Sequence, residues 1–123
     1  MIDQNQLEVK KSHIKGAGHG LYTNIAIKKG DVISMFIGDR TKAILDYKDM
    51  LYSVYLSDGT YINTRPFEGK AKFANDAQFN TLFHNNSEIV EKTINGIVEA
   101  CLIATCDIPK GSEIFLDYGD EYW

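Results

Sequence analysis

The hydrophobic and polar positions divide this chain into short stretches, most of them with strand character. Leu7 to Lys11 alternates weakly and predicts a strand. Ile27-Lys28-Lys29-Gly30-Asp31-Val32-Ile33 reads as a tight turn entering a strand that runs through Phe36. Ile108-Pro109-Lys110-Gly111-Ser112-Glu113-Ile114 reads almost the same, but its flanks differ, so these are two similar turns and not a domain repeat. Between Thr41 and Leu51, Ile44, Tyr47, the stem of Lys48 and Leu51 recur at helical spacing, which predicts the one helix. Tyr52 to Ser57, Asp58-Gly59 and Thr60 to Asn63 form a hairpin signal, with Asp-Gly supplying the positive φ of a type I′ turn. Ile89 to Thr93, Asn95-Gly96 and Ile97 to Cys106 give a second hairpin by the same logic. Ile97 to Ala104 is mostly apolar, so that strand is expected to be buried on both faces. Pro66 and Pro109 fall between elements, where they remove no ladder hydrogen bond.

The last stretch, Ile114-Phe115-Leu116-Asp117-Tyr118-Gly119-Asp120-Glu121-Tyr122-Trp123, gathers three aromatic rings and three carboxylates in its final seven residues. One reading is an edge strand with a Tyr-Trp plug. The other is a segment tucked against a pocket, and the earlier stretches favour it, because chain ends otherwise fray.

At 123 residues the size prior is one domain, residues 1–123. No apolar run approaches the ~20 residues that span a bilayer, and Met1 to Gln6 lacks an apolar signal core. These features predict a soluble, intracellular protein that contacts no membrane. With 13 basic and 17 acidic residues the net charge is −4, which argues against direct nucleic-acid binding and suits a basic peptide partner. Cys101 and Cys106 stand at odd spacing on a predicted strand and are expected as buried free thiols. His13, His19 and His84 form no ligand spacing, so no metal site is expected.

Lys15-Gly16-Ala17-Gly18-His19-Gly20-Leu21-Tyr22 places three glycines in five residues, a backbone able to take positive φ and pass close to a ligand. It is no phosphate loop, since no Gly-Lys-Ser/Thr ending and no long helical pattern follow. Asn75 and Asp76, in Lys72-Phe73-Ala74-Asn75-Asp76-Ala77, suit a turn whose backbone faces a partner.

Taken together these pieces resemble a SET domain, the fold of a large family of protein lysine methyltransferases. Gly16 to Tyr22 resembles the family's glycine-rich first motif, and Met35-Phe36-Ile37-Gly38-Asp39 its Glu-Tyr-x-Gly-Glu strand. Phe73-Ala74-Asn75-Asp76-Ala77 resembles Phe-Ile-Asn-His-Ser, and Asp107 to Ile114 with Asp117-Tyr118-Gly119 resembles the closing motif. The likeness covers roughly Leu7 to Trp123. It implies a mainly β fold of small curved sheets, the β-clip, with one short helix and a C-terminal pseudoknot in which the tail threads under a preceding loop.

The resemblance further implies an S-adenosylmethionine-dependent methyl transfer to a lysine side chain, on a histone tail or another basic protein segment. By likeness, Gly16, Ala17, Gly18 and His19 would hold the methionine end of the cofactor, and Asn75 and Asp76 the adenine. Trp123 would stack over the adenine or simply pack in the core. Tyr118 would be catalytic, while Phe36, Tyr52, Leu116 and Tyr122 would line the substrate side. Leu116, two residues before Tyr118, occupies the family's switch position for the number of methyl groups transferred. The family's later asparagine would be Asn80 or Asn86.

The departures are Asp76 for the family's histidine, Phe36 for a frequent tyrosine, and no flanking cysteine clusters. A second copy of the chain, the substrate, or Tyr122-Trp123 would then have to close the pocket. Localisation would be nuclear for a histone-directed eukaryotic or viral enzyme and cytoplasmic otherwise. The rival readings are a SET-like binding module without activity and a β-rich structural protein without cofactor.

Overall fold

The computed structural model describes residues 1–65, 69–77 and 82–117. Among these residues ten short strands make three small sheets. The first sheet joins β1 (Leu7–Lys11), β2 (His19–Thr23) and β9 (Glu113–Ile114), with β2 central. The second has the order β10 (Leu116–Asp117), β7 (Ser87–Ile94), β8 (Ile97–Ala104), β3 (Val32–Met35). The third places β6 (Tyr61–Asn63) between β4 (Asp39–Thr41) and β5 (Ser53–Tyr55). Single 3-10 turns lie at Gln4–Gln6 and Ala71–Phe73. The mainly β architecture of small sheets agrees with the fold implied by the motifs.

The shared core lies where the sheets meet. Leu21, Ile33, Ile62, Ala100, Leu102 and Ile114 are completely buried, each from a different strand except Ala100 and Leu102. The two similar turns pack against each other. Ile27 and Ile108 exchange both backbone hydrogen bonds, at 2.9 and 2.8 Å, and bury their side chains. In each turn a glycine takes the left-handed position after a Lys, Gly30 at φ 90° and Gly111 at φ 87°, as a type II turn requires. Gly38 has a different reason to be glycine. It lies where the chain passes from β3 to β4, and a Cβ there would collide with the Asn63 carbonyl.

Several sequence expectations need correction. The helix is one turn, α1 (Tyr47–Met50), capped by Asp46, and it buries no residue. Its expected apolar face points outward, with Ile44 87% and Tyr47 78% exposed and Leu51 half exposed. The second hairpin does turn on Asn95 (φ 52°) and Gly96 (φ 80°), the type I′ geometry. The first does not. Only Gly59 has positive φ there, and Leu56 N–H bonds Thr60 O while Gly59 N–H bonds Leu56 O. That is a three-residue loop, a type I turn closed by a left-handed glycine. β8 is buried from Ala100 to Ala104 but not at its start, where Ile97 stands half in water beside the turn. Cys101 is buried and its thiol is pushed up by burial, whereas Cys106, past the end of β8, is exposed. Pro66 lies outside the described residues.

Candidate active site

The closing segment decides the geometry. Glu113 and Ile114 belong to the first sheet, and two residues later Leu116 and Asp117 pair in parallel with Ser87 and Glu88 of the second. Between them Phe115 bridges to Asn75. Leu116 N–H donates to Asn75 O at 2.8 Å, while Ser87 N–H and Oγ donate to Phe115 O at 3.0 and 2.9 Å. The tail therefore runs between the two ends of the loop that joins Asn75 to Ser87, bonded to both, as the pseudoknot expectation requires.

Asn86 fastens this crossing. Its Nδ2 donates to Glu113 O at 3.1 Å, its Oδ1 accepts from Phe115 N–H at 2.8 Å, and its own N–H donates to Phe115 O at 3.0 Å. Of the two asparagines considered from the sequence, Asn86 has this place; Asn80 is outside the described residues.

The glycine-rich loop meets the same crossing. Gly16 (φ 83°) and Gly18 (φ 73°) hold left-handed backbone, and Ser12 N–H closes the loop on Gly18 O at 2.8 Å. A Cβ at either glycine would stand in open space, so the fold itself demands the backbone conformation, not a close neighbour. Asn75 Nδ2 donates to His19 O at 2.8 Å, which joins the loop to the Asn75-Asp76 turn. Asp76 Oδ1 accepts from Asn85 Nδ2, and Asn85 Oδ1 accepts from Ala77 N–H, both at 2.8 Å. The carboxylate that replaces the family's histidine thus has the partner a half-buried charge wants.

Sequence reasoning missed the centre of this arrangement. Glu113 is buried, and its carboxylate accepts from Ser12 Oγ at 2.6 Å and from His13 N–H at 2.8 Å. His13 Nδ1 and the Tyr22 hydroxyl each lie 3.1 Å from Glu113 Oε1. Burial, reinforced by the Glu113 charge, pushes the Tyr22 hydroxyl up to about 12. Gly20 is glycine because a Cβ there would enter the Glu113 carboxylate. A row of rings leads from exposed His13 inward, with His13 stacked on Phe83 at 5.6 Å and Phe83 tilted against buried Phe115 at 5.4 Å. The only hint in the sequence was that Glu113 belongs to the closing motif.

On the other side of the crossing lies an open cleft of about 1010 Å³. Phe36, Val54, Ala74 and Leu116 form its buried floor, and Tyr52, half exposed, stands on its wall. Three of the four residues assigned to the substrate side, Phe36, Tyr52 and Leu116, therefore share one cavity. Its size is that of a ligand site. The fourth, Tyr122, and also Tyr118 and Trp123, lie outside the described residues. Leu116 joins the two halves: its backbone bonds the Asn75 turn and its side chain lines the cleft.

Among the described residues no group of acidic, cysteine or histidine side chains could hold a metal. Nor is any described helix long and apolar enough to cross a membrane.

Comparison with known proteins agrees with this geometry. In an alignment of 111 positions that covers 82% of the chain, it is 28% identical to a mouse (Mus musculus) protein, histone-lysine N-methyltransferase NSD3. The match spans only 7% of that relative's length. The SET domain family model matches residues 18–119, from the second left-handed glycine to just past the threaded strand. The chain belongs to the SET-domain family.

Proposed function

We propose that this chain is a protein-lysine N-methyltransferase that uses S-adenosylmethionine. The observation that carries the proposal is Leu116, whose backbone ties the Asn75 turn while its side chain floors the cleft, so that the two sides of the reaction would meet there. A histone tail is the first candidate substrate, since the curated relative is named for histone lysine and a net charge of −4 suits a basic segment.

The residues fit the cofactor in this sense. The glycine-rich loop has left-handed backbone with open space at both glycines, and Asn75 holds it against the turn at 2.8 Å. Gly16, Ala17, Gly18 and His19 would bind the methionine end, and Asn75 and Asp76 the adenine, with Trp123 as a cover. Bound there, the cofactor supplies a sulfonium-activated methyl group.

The chain's task is then positioning. A lysine amine must lose a proton before it can attack, which costs about 4–5 kcal/mol at pH 7 from a pKa near 10.4. The apolar floor of Phe36 and Leu116 lowers that cost by disfavouring the ammonium. The Tyr118 hydroxyl would orient the neutral amine in line with the carbon–sulfur bond. The methylated product would be a cationic ammonium that sheds a proton to water, and the cofactor would leave as a neutral thioether. Tyr52 and Tyr122 would flank the substrate chain, and a second copy of the protein is one way to close the pocket. A histone-directed enzyme would work in the nucleus.

Phe36 brings a buried ring without a hydroxyl to the floor, which favours a second reading, a SET-like binding module. Calorimetry with S-adenosylmethionine and mass spectrometry of a lysine peptide array test the proposal. Cofactor binding with methylated product supports it; cofactor binding without product on any lysine-bearing protein favours the binding module.

A further inference from the structure

Among the described residues the mouth of the cleft is aromatic and nearly without net charge. Tyr47, Tyr55 and Tyr52 are 78%, 61% and 43% exposed along its wall, and Tyr61 leans on Tyr55 with ring centroids 4.8 Å apart. The outward apolar spacing around α1 thus has its rings beside the cleft instead of in the core. The described lining has one carboxylate and one ammonium. Glu91 accepts from Ser57 N–H at 3.1 Å and from Ser57 Oγ at 2.8 Å, and Lys72 Nζ donates to Thr64 O and Arg65 O at 3.2 and 3.3 Å. The carboxylates of α1 and its cap are also engaged, Asp46 by Asp49 N–H and Asp49 by Arg65.

We infer that the cleft selects lysines flanked by apolar or aromatic residues, an inference that rests on the lysine-binding reading above. The tyrosine walls, Tyr47 and Tyr55 foremost, carry it. Covering such rings buries large apolar area, and tyrosine is among the residue types that most often anchor a bound chain. A flanking arginine could stack on a ring face, but at an exposed site that gains less than burying a whole apolar side chain. It would also bring a second cation to a described lining that already sets Lys72 against a single carboxylate, Glu91. The protein's overall negative charge acts at longer range, drawing a basic segment near. The cleft then discriminates by what lies directly beside the lysine.

Fluorescence anisotropy with three labelled peptides of equal length tests this. Each carries a central lysine, flanked by leucine and phenylalanine, by serine and glutamine, or by arginine. The apolar-flanked peptide should bind about 10-fold tighter than the other two, a factor that corresponds to roughly 1.4 kcal/mol. Its affinity should change little with salt. Tyr47→Ser should erase most of that advantage without altering the melting temperature, because its ring is exposed, and Tyr55→Ser should do the same with a small loss of stability from the broken pair with Tyr61. Equal or tighter binding of the arginine-flanked peptide with steep salt dependence would overturn the inference. So would no peptide binding at all, or sedimentation showing a dimer that Tyr47→Ser dissociates. Mass spectrometry of the same peptides separates the two levels: apolar preference in binding without any methyl transfer would defeat the methyltransferase reading and leave the selectivity standing.

Discussion

The carboxylate of Glu113 accepts a 2.6 Å hydrogen bond from the hydroxyl of Ser12, 101 residues earlier in the chain. That contact fixes the start of the glycine-rich loop to the segment that threads the fold. Since the same carboxylate also receives His13 N–H and faces Tyr22, it is the point through which loop and tail are held in register.

Glu113→Ala should therefore cost about 3 kcal/mol or more, because several buried donors lose their acceptor at once. Glu113→Gln keeps the shape and one acceptor oxygen, and should cost less, roughly 1–2 kcal/mol. Chemical denaturation of both variants checks the order. If the two are equally mild, the carboxylate is not the anchor.

The crossing itself can be tested at Asn86. In Asn86→Asp the donor to Glu113 O becomes an oxygen facing an oxygen, while the acceptor for Phe115 N–H is retained. A loss of about 2–3 kcal/mol is expected from the unsatisfied carbonyl and the added charge. A variant as stable as the native protein in urea would show that the amide does not lock the tail.

The glycines separate conformation from space. Gly18→Ala meets no neighbour and carries only the strain of a left-handed backbone, about 1–2 kcal/mol. It should fold, with a melting temperature lowered by some 5–10 °C, yet bind S-adenosylmethionine at least ~10-fold more weakly if the loop cradles it. Gly38→Ala would drive a methyl into the Asn63 carbonyl and should be the more damaging to stability. Calorimetry and thermal melts of the pair decide: native cofactor affinity in Gly18→Ala would remove the loop from the cofactor site.

Tyr22 sets a limit on alkaline stability. Its folded pKa, about 12, stands above the ordinary value of 10, first through burial and then through Glu113. The folded state therefore holds the proton longer than the unfolded chain. The tyrosine's contribution is fully present below pH 10 and is lost as pH rises toward 12, by on the order of 2–3 kcal/mol. Lysines titrate in the same window, so the comparison is with Tyr22→Phe, whose stability should fall less steeply between pH 9 and about 11.5. Parallel curves in guanidinium melts would refute the assignment.

What could be read beforehand followed the range of the interactions. Asn95-Gly96 was legible because two adjacent left-handed residues define one turn type. Asp58-Gly59 was misread because the same dipeptide also closes a three-residue loop, and the difference lies in Ser57, whose part in the turn has no sequence mark. The apolar spacing of Ile44, Tyr47 and Leu51 tells that one face is apolar but not what it meets, and it meets the cleft mouth and water. Phe36, Tyr52 and Leu116 were grouped by likeness to a family and do line one cavity. Glu113 stayed hidden, since its partners Ser12 and Tyr22 come from 101 and 91 residues away and no local period signals a buried carboxylate.

The number of methyl groups transferred should depend on Leu116. Its position is fixed by the 2.8 Å bond from its N–H to Asn75 O, and its side chain lies in the cleft floor beside Phe36 and Ala74. None of these three side chains offers a hydrogen bond. A methylated amine returning to this floor would find apolar space and no hydrogen bond from these three side chains to hold its lone pair away from the reacting methyl, so the native protein should yield di- or trimethyl-lysine at excess cofactor. Leu116→Tyr adds a ring and a hydroxyl at a buried site, and overpacking should cost about 1–3 kcal/mol. The open cleft above the floor leaves room for the ring to turn outward. Its hydroxyl could then hold the amine, or a water beside it, and stop the reaction after one transfer. Tyr118→Phe is the companion variant: if the hydroxyl orients the amine, transfer should fall by about 10²-fold or more with cofactor affinity kept. Mass spectrometry of product from the native protein and from Leu116→Tyr, each confirmed folded by circular dichroism, reads the outcome. A native protein that stops at monomethyl-lysine, or a tyrosine variant that still makes di- and trimethyl product, would show that another residue sets the limit.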